Sequence, residues 1–326
     1  MKRAPRSALV LAFSLAALAA RAAEPSAELE AKLRAIAAET GGTLGVKVVH
    51  LESGRTAGLE VRGRFPMASV YKLPIAVVVL SEVDAGKLKL DQEVDVRPGE
   101  LRRTGARVDA WTPGGRAPLA KLVDAMLTES DNTACDVLLR LIGGGRAVDA
   151  WLAAHGFPEI DVTLTELEMA AVESGVSPVP AAGACDHACL DALVAKVPKK
   201  KREEAERAFE RDPRNTASPE DLARLVVALR KGELLSATST EKLLSMMRRN
   251  RTGDRRIRAL LPEGTPVWDK TGTIGRCAND VGLVELPGEK GTIAVVVIVK
   301  GSPKGSGARE AAIAKAAKAA FDAFGR

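Results

Sequence analysis

Apolar Leu29, Leu33 and Ile36 recur at helical spacing and Gly41-Gly42 ends the run, so the pattern predicts a helix from Ser26 to Thr40. The period then shortens. Thr43 to Leu51 and Thr56 to Val61 read as two strands joined by a turn at Glu52-Ser53-Gly54-Arg55. The apolar run Leu73 to Leu80 belongs to a helix that begins at or just before Ser69 and ends near Gly86, with Pro74 tolerated in its first turns. Residues 87–118 are mixed, with loops at Pro98-Gly99 and Pro113-Gly114-Gly115. Helices follow over Ala117–Leu127, Asn132–Leu141 and Ala147–Ala154. Ser218-Pro219-Glu220-Asp221 starts another that reaches Leu229, and a further one spans Ser239–Arg249. Three strand-like segments lie around Val267, over Val281–Leu286 and over Thr292–Lys300. The last is β-branched almost throughout, which implies burial on both faces. An alanine-rich helix, Ala308–Phe324, closes the chain.

Strands therefore lie at both ends and helices fill the middle. The simplest assembly is an α+β fold: one antiparallel sheet of about five strands formed by both termini and flanked by helices, with a large all-helical insertion. Residues 23–62 and 251–326 would form an α/β subdomain and 63–250 a helical one, with a cleft between them. Residues 171–211 differ in character. Small residues and prolines give way to a Cys185–Cys189 segment and then to the charged run Lys199-Lys200-Lys201-Arg202-Glu203-Glu204, read as a solvated helix through Phe209. This stretch is an excursion from the helical half.

The first 22 residues have a basic start (Lys2, Arg3, Arg6), an apolar Ala8–Ala20 run and a small-residue Ala20-Arg21-Ala22 end, the pattern of an export signal. The apolar run is too short to span a bilayer comfortably, and no cysteine follows it for a lipid anchor. An exported protein, periplasmic or secreted, without a stable membrane anchor is expected. Removing those residues takes four of the 48 basic side chains and none of the 42 acidic ones, leaving a net charge of +2. The high overall basicity thus gives no support for nucleic-acid binding. Cys185 and Cys189 are close enough to bridge in an oxidising compartment, whereas Cys135 fits a buried position on a helix. The cysteines lack zinc spacing and the three histidines form no cluster, so no metal site, cofactor or Ser-His-Asp triad is expected.

Three short motifs carry chemistry. Ser69-Val70-Tyr71-Lys72 sets a hydroxyl and an amine three residues apart on one helix face, about 5–6 Å at Cβ. A nearby amine of depressed pKa can take the serine's proton, and the N–H groups of a helix start can stabilise an oxyanion. Alone, the spacing also fits an ordinary amphipathic helix. Ser130-Asp131-Asn132 lies at a helix-to-helix junction, and Lys270-Thr271-Gly272-Thr273 on a predicted strand, where Gly272 lets a ligand approach the backbone.

Together, in this order, the motifs resemble those of the serine β-lactamase and penicillin-binding protein superfamily, specifically its class A β-lactamases. The resemblance spans essentially the whole chain after the leader and includes Thr252 to Arg258 and Leu261-Pro262, which look like the family's approach to its Lys-Thr-Gly strand. It implies a monomeric hydrolase of small β-lactams with no cofactor. Ser69 would be the acylated nucleophile, Lys72 its proton partner, and Ser130 the donor to the leaving nitrogen. Asn132 would hold the substrate's amide side chain, and Lys270 and Thr271, next to Gly272, its carboxylate. The N–H groups of Ser69 and Thr273 would form the oxyanion hole. Arg256 resembles an arginine that supports the carboxylate pocket in some members. Glu166, in Thr165-Glu166-Leu167-Glu168-Met169, would activate the deacylating water, with Glu168 as the competing neighbour. Ala170 and Asn215 stand where the family more often has asparagine and aspartate, and the long excursion interrupts the loop between them. A DD-peptidase or a penicillin-binding sensor on the same scaffold is the alternative. Trp111 reads either as a cleft wall or as core.

Overall fold

A computed structural model describes residues 27–105, 107–108 and 111–325. The expected leader, residues 1–22, and Ser26, the expected start of the first helix, lie outside them. Helix α1 (27–40) is followed by strands β1 (Thr43–His50) and β2 (Thr56–Leu59). Strands β3 (Val267–Ile274), β4 (Cys277–Glu285) and β5 (Thr292–Lys300) come from the other end of the sequence. The sheet order is β2-β1-β5-β4-β3, antiparallel at every pairing. The α+β expectation is met, with β5 at the centre and β3 at the edge facing the helical half.

Alternation along β5 divides the core. Ile293, Val295, Val297 and Val299 pack under α1 and the closing helix α11 (Ser306–Phe324), against Leu29, Leu33, Ile313 and Phe321. Ala294, Val296 and Ile298 face the larger helical core. Both faces are therefore buried from Thr292 to Val299, each aliphatic side chain contributing about 1.5–3 kcal/mol.

The helical part holds α2 (Lys72–Asp84), α3 (Leu119–Thr128), α4 (Asn132–Leu141), α5 (Gly145–Ala154) and α6 (Glu166–Glu173). After the excursion come α9 (Pro219–Arg230) and α10 (Ala237–Arg248). Short two-stranded pairs lie among them: Phe65–Pro66 with Thr216–Ala217, Glu93–Asp95 with Arg116–Pro118, and Arg103–Thr104 with Arg107–Val108. Helix α2 is buried without a break from Lys72 to Leu80, which marks it as the central helix of this half. Lys72 is thus an ammonium carried into the interior.

Two segments differ from expectation. Strand β4 starts at Cys277 rather than Val281, because Asn279 and Asp280, polar residues that read as turn, are fully buried within it. Asn279 Nδ2 donates to the carbonyls of Pro66 (2.8 Å) and Met67 (2.9 Å), pinning the approach to Ser69 against the sheet. The excursion contains two helices, α7 (His187–Ala195) and α8 (Lys199–Phe209). Helix α7 is capped by the Asp186 side chain on Cys189 N and closed by a Cys185–Cys189 disulfide.

Candidate active site

Ser69 lies in a 3-10 turn, Ala68–Tyr71, that runs directly into α2. Strand β3 passes so close to this turn that a Cβ on Gly272 would stand 2.5 Å from Met67 O and 3.0 Å from Ser69 N. Only glycine admits that contact. The residue before Ser69, Ala68, has φ +46, and Ser130 has φ +60, left-handed conformations that side chains with a Cβ adopt at a cost.

Lys72 Nζ is the hub. It lies 3.1 Å from Ser69 Oγ, 3.4 Å from Ser130 Oγ and 2.7 Å from Ser130 O, and it donates to Asn132 Oδ1. Glu166 Oε1 stands 2.9 Å away, an ionic contact rather than a directed hydrogen bond. Burial pulls the Lys72 pKa down, but Glu166 and the other negative groups around it outweigh that pull and hold it above the ordinary lysine value. The expected depressed amine is therefore not Lys72. A spacing argument sees Ser69 three residues away and cannot see the carboxylate that folding brings opposite.

The lowered amine is Lys270. Burial first and the Lys72 charge second bring it down to about 7, against Asp269, Asp280 and Glu166 acting the other way. Lys270 Nζ donates to Ser130 Oγ at 3.0 Å and to Thr271 O at 2.9 Å, so Ser130 lies between the two lysines. The Thr271 hydroxyl is buried and engaged with that of Thr252. Arg256 donates to Gly272 O (2.9 Å), Asn279 O (2.8 Å) and Thr273 Oγ1, which ties it to the back of the same strand. Asn132 Nδ2 donates to Arg103 O at 2.7 Å and its N–H to Thr104 Oγ1 at 3.0 Å. The structure thus brings Ser69, Lys72, Ser130, Asn132, Glu166 and Lys270 together, with Gly272 against the Ser69 backbone. Thr271, Thr273 and Arg256 adjoin them along β3.

Glu166 begins α6, and Glu168 is occupied elsewhere: its Oε2 accepts from Thr165 N (2.9 Å) and Thr165 Oγ1 (3.0 Å) while Thr165 caps Glu168 N. The loop before Glu166 is clamped by buried Asn215. Its Oδ1 accepts from Leu164 N (2.7 Å) and its Nδ2 donates to Leu164 O (2.9 Å), while Asn215 O accepts from Met67 N (2.9 Å). An asparagine serves both the donor and the acceptor of Leu164; a carboxylate would serve only the donor. Ala170 offers no polar side chain to the site. Trp111 is partly buried on the helical core, and its Nε1 donates to Asp131 Oδ1 at 3.0 Å, which supports the loop bearing Ser130.

Two residues went unremarked in the sequence. Asp136 lies one turn beyond Asn132 on α4, and its Oδ1 accepts from Glu166 N at 2.7 Å. Burial raises the Asp136 carboxyl to about 6 although Arg102, 2.7 Å away, opposes the shift. The i, i+4 spacing from Asn132 put Asp136 on the site's face, but its partners come from distant segments.

A family description, the beta-lactamase enzyme family, matches residues 28–324. The β-lactamase VEB-1 of Pseudomonas aeruginosa is 28% identical over 306 residues, covering 91% of this chain and 90% of the relative. The extended-spectrum β-lactamase PER-1 of the same organism is 29% identical over 326 residues, covering 96% and 94%. Among solved structures, a β-lactamase from Xanthomonas campestris superposes with a TM-score of 0.73 at 28% identity, over 91% of this chain and 98% of that one. With the motifs gathered around Ser69 and the match running nearly end to end, the chain belongs to the beta-lactamase enzyme family, as a class A serine type.

Proposed function

We propose that the chain hydrolyses β-lactams through an acyl-enzyme on Ser69 that water, activated by Glu166, then releases. The observation that carries this reading is the position of Lys72 Nζ, within reach of Ser69 Oγ, Ser130 Oγ and Glu166 Oε1 together. Membership of the family supports the coarser statement, a hydrolase acting on β-lactam amide bonds.

In acylation, Ser69 Oγ attacks the lactam carbonyl, whose oxygen is received by the N–H groups of Ser69 and Thr273. Lys72 is already charged at rest, so it cannot simply keep the serine's proton. It accepts that proton as it passes one of its own to Glu166, and Glu166 ends protonated. The lactam C–N bond breaks as Ser130 protonates the nitrogen, and Ser130 is resupplied from Lys72. Asn132 holds the acylamide side chain. Lys270, supported by Thr271 and by Arg256 along β3, binds the carboxylate. Before deacylation Glu166 returns its proton to Lys72, left neutral by resupplying Ser130, and as a carboxylate again it takes a proton from water as the water attacks the ester. The bond between the acyl carbon and Ser69 Oγ breaks, and Oγ recovers a proton from Glu166 by way of Lys72.

Glu168, turned onto Thr165, is unsuited to this role, and the Lys72–Glu166 contact speaks against an incidental Glu166, as a peptidase or sensor would have. The proposal includes export by residues 1–22 and action as a monomer. No helix among the described residues is long and apolar enough to cross a membrane.

The test is mass spectrometry of wild type and Glu166→Ala during exposure to a chromogenic cephalosporin. Wild type should turn over. The variant should acylate, because loss of Glu166 leaves burial to pull Lys72 toward its neutral form, and the adduct on Ser69 should persist. A wild type that acylates once and stalls would contradict the reading.

A further inference from the structure

The geometry points to Arg102 as a positioning residue that ties the disulfide-closed excursion to Glu166. The inference rests on Glu166 being the deacylating base.

Arg102 is 3% exposed and its guanidinium engages three partners, one of them its neighbour's carbonyl, Leu101 O, at 3.1 Å from Nη1. Nε donates to Asp136 Oδ2 at 2.7 Å, and Nη1 donates to Cys185 O at 2.7 Å. Its own N–H donates to Thr133 Oγ1 at 2.8 Å, which holds the backbone of residue 102 against the start of α4. Asp136 uses its other oxygen, Oδ1, on Glu166 N at 2.7 Å, while Oδ2 also lies 3.4 Å from Leu167 N. One chain of contacts therefore runs from the Cys185 carbonyl through Arg102 and Asp136 to the first N–H of α6, the peptide that carries the Glu166 side chain.

The far end of this chain is fixed independently. Cys185 is buried and bridged to Cys189, and His187 N donates to Leu101 O at 2.8 Å, next to Arg102. Helix α7 itself buries none of its side chains. A helix with no fully buried side chain has little apolar area to hold it, so this anchor comes from the disulfide, the Leu101 contact, Arg102 and an Arg103 Nε–Asp191 Oδ2 ion pair at 3.0 Å. A planar fork can engage a carboxylate and a carbonyl at once, whereas a lysine ammonium on a flexible stem reaches one of them. The acylating groups are not on this path: Ser69, Lys72 and Ser130 are held by α2, β3 and the junction before α4. Acylation also uses Glu166, as a proton acceptor, but tolerates its displacement because burial then favours a neutral Lys72, so Arg102 acts mainly on the second half-reaction.

The experiment measures acylation and deacylation rate constants separately, by stopped flow with a chromogenic cephalosporin, for wild type, Arg102→Lys, Cys185→Ser/Cys189→Ser and Glu166→Ala. Arg102→Lys keeps a positive charge beside Asp136 and so avoids an unpaired buried carboxylate. Its deacylation should slow about tenfold, as expected for a displaced catalytic group, with acylation within about twofold of wild type. The double serine variant, which leaves Arg102 and Asp136 in place, should slow deacylation about threefold, again without touching acylation. Wild-type deacylation in a folded Arg102→Lys, with Glu166→Ala trapped as the ester, would overturn the inference. So would an equal loss in both half-reactions, which marks a structural role for Arg102. Free turnover by Glu166→Ala would instead remove the reading on which the inference stands.

Discussion

On the sheet side of the cleft, Ser69 is placed mainly by close backbone packing, with one side chain, Asn279, pinning the segment before it. Gly272 lies against Ser69 N and Met67 O, and Asn279 fastens Pro66 and Met67 to β4. On the opposite side, Glu166 is placed through three side chains and one backbone carbonyl from four separate segments: Asn215 on Leu164, Asp136 on Glu166 N, Arg102 on Asp136, and the Cys185 carbonyl on Arg102. A strand ladder tolerates sequence change because its hydrogen bonds belong to every residue. A relay of side chains fails at any single member. Under the proposed mechanism the two half-reactions are thus built to different tolerances, and deacylation is the one that substitutions should dissociate.

The strongest way to break the sheet side is Gly272→Ala. Its Cβ would force Ser69 N away from the oxyanion position, with an expected loss of about 10²–10³ in acylation, measured by burst kinetics. Asn215→Ala tests the other side. It leaves Leu164 N and O without partners in a buried place, which should lower stability by about 2–4 kcal/mol in thermal melts. Deacylation should fall about tenfold while acylation holds.

A smaller effect comes from pH. In the proposed role Lys270 must be charged to pair with a substrate carboxylate, and its value near 7 means the free enzyme loses that charge as pH rises. For a carboxylate-bearing substrate, kcat/KM should be about tenfold lower at pH 8 than at pH 6, with kcat less affected because a bound anion restores the proton. A flat kcat/KM profile would show Lys270 to be charged throughout.

The groups legible in the sequence are those fixed by local spacing. Ser69 and Lys72 share a helix face, Ser130 and Asn132 share a junction, and Lys270 to Thr273 share a strand. Glu166 was separable from Glu168 by a signal in plain sight, since Thr165-x-x-Glu168 is a capping box that occupies Glu168. Less accessible was anything that depends on two distant segments meeting. The Lys72 charge state follows from Glu166, and the start of β4 follows from an asparagine buried to hold Met67. Arg102 and Asp136 carried no local signal, because each finds its partners in distant segments that only the fold buries together.

The most direct measurement compares the two half-reactions in wild type and Glu166→Ala by single-turnover stopped flow on one chromogenic cephalosporin. Acylation of the variant should stay within about tenfold of wild type while deacylation falls by at least about 10³-fold. Parallel loss of both, or a variant that still releases product at the wild-type rate, would contradict a site in which Ser69 is placed for acylation and Glu166 for release.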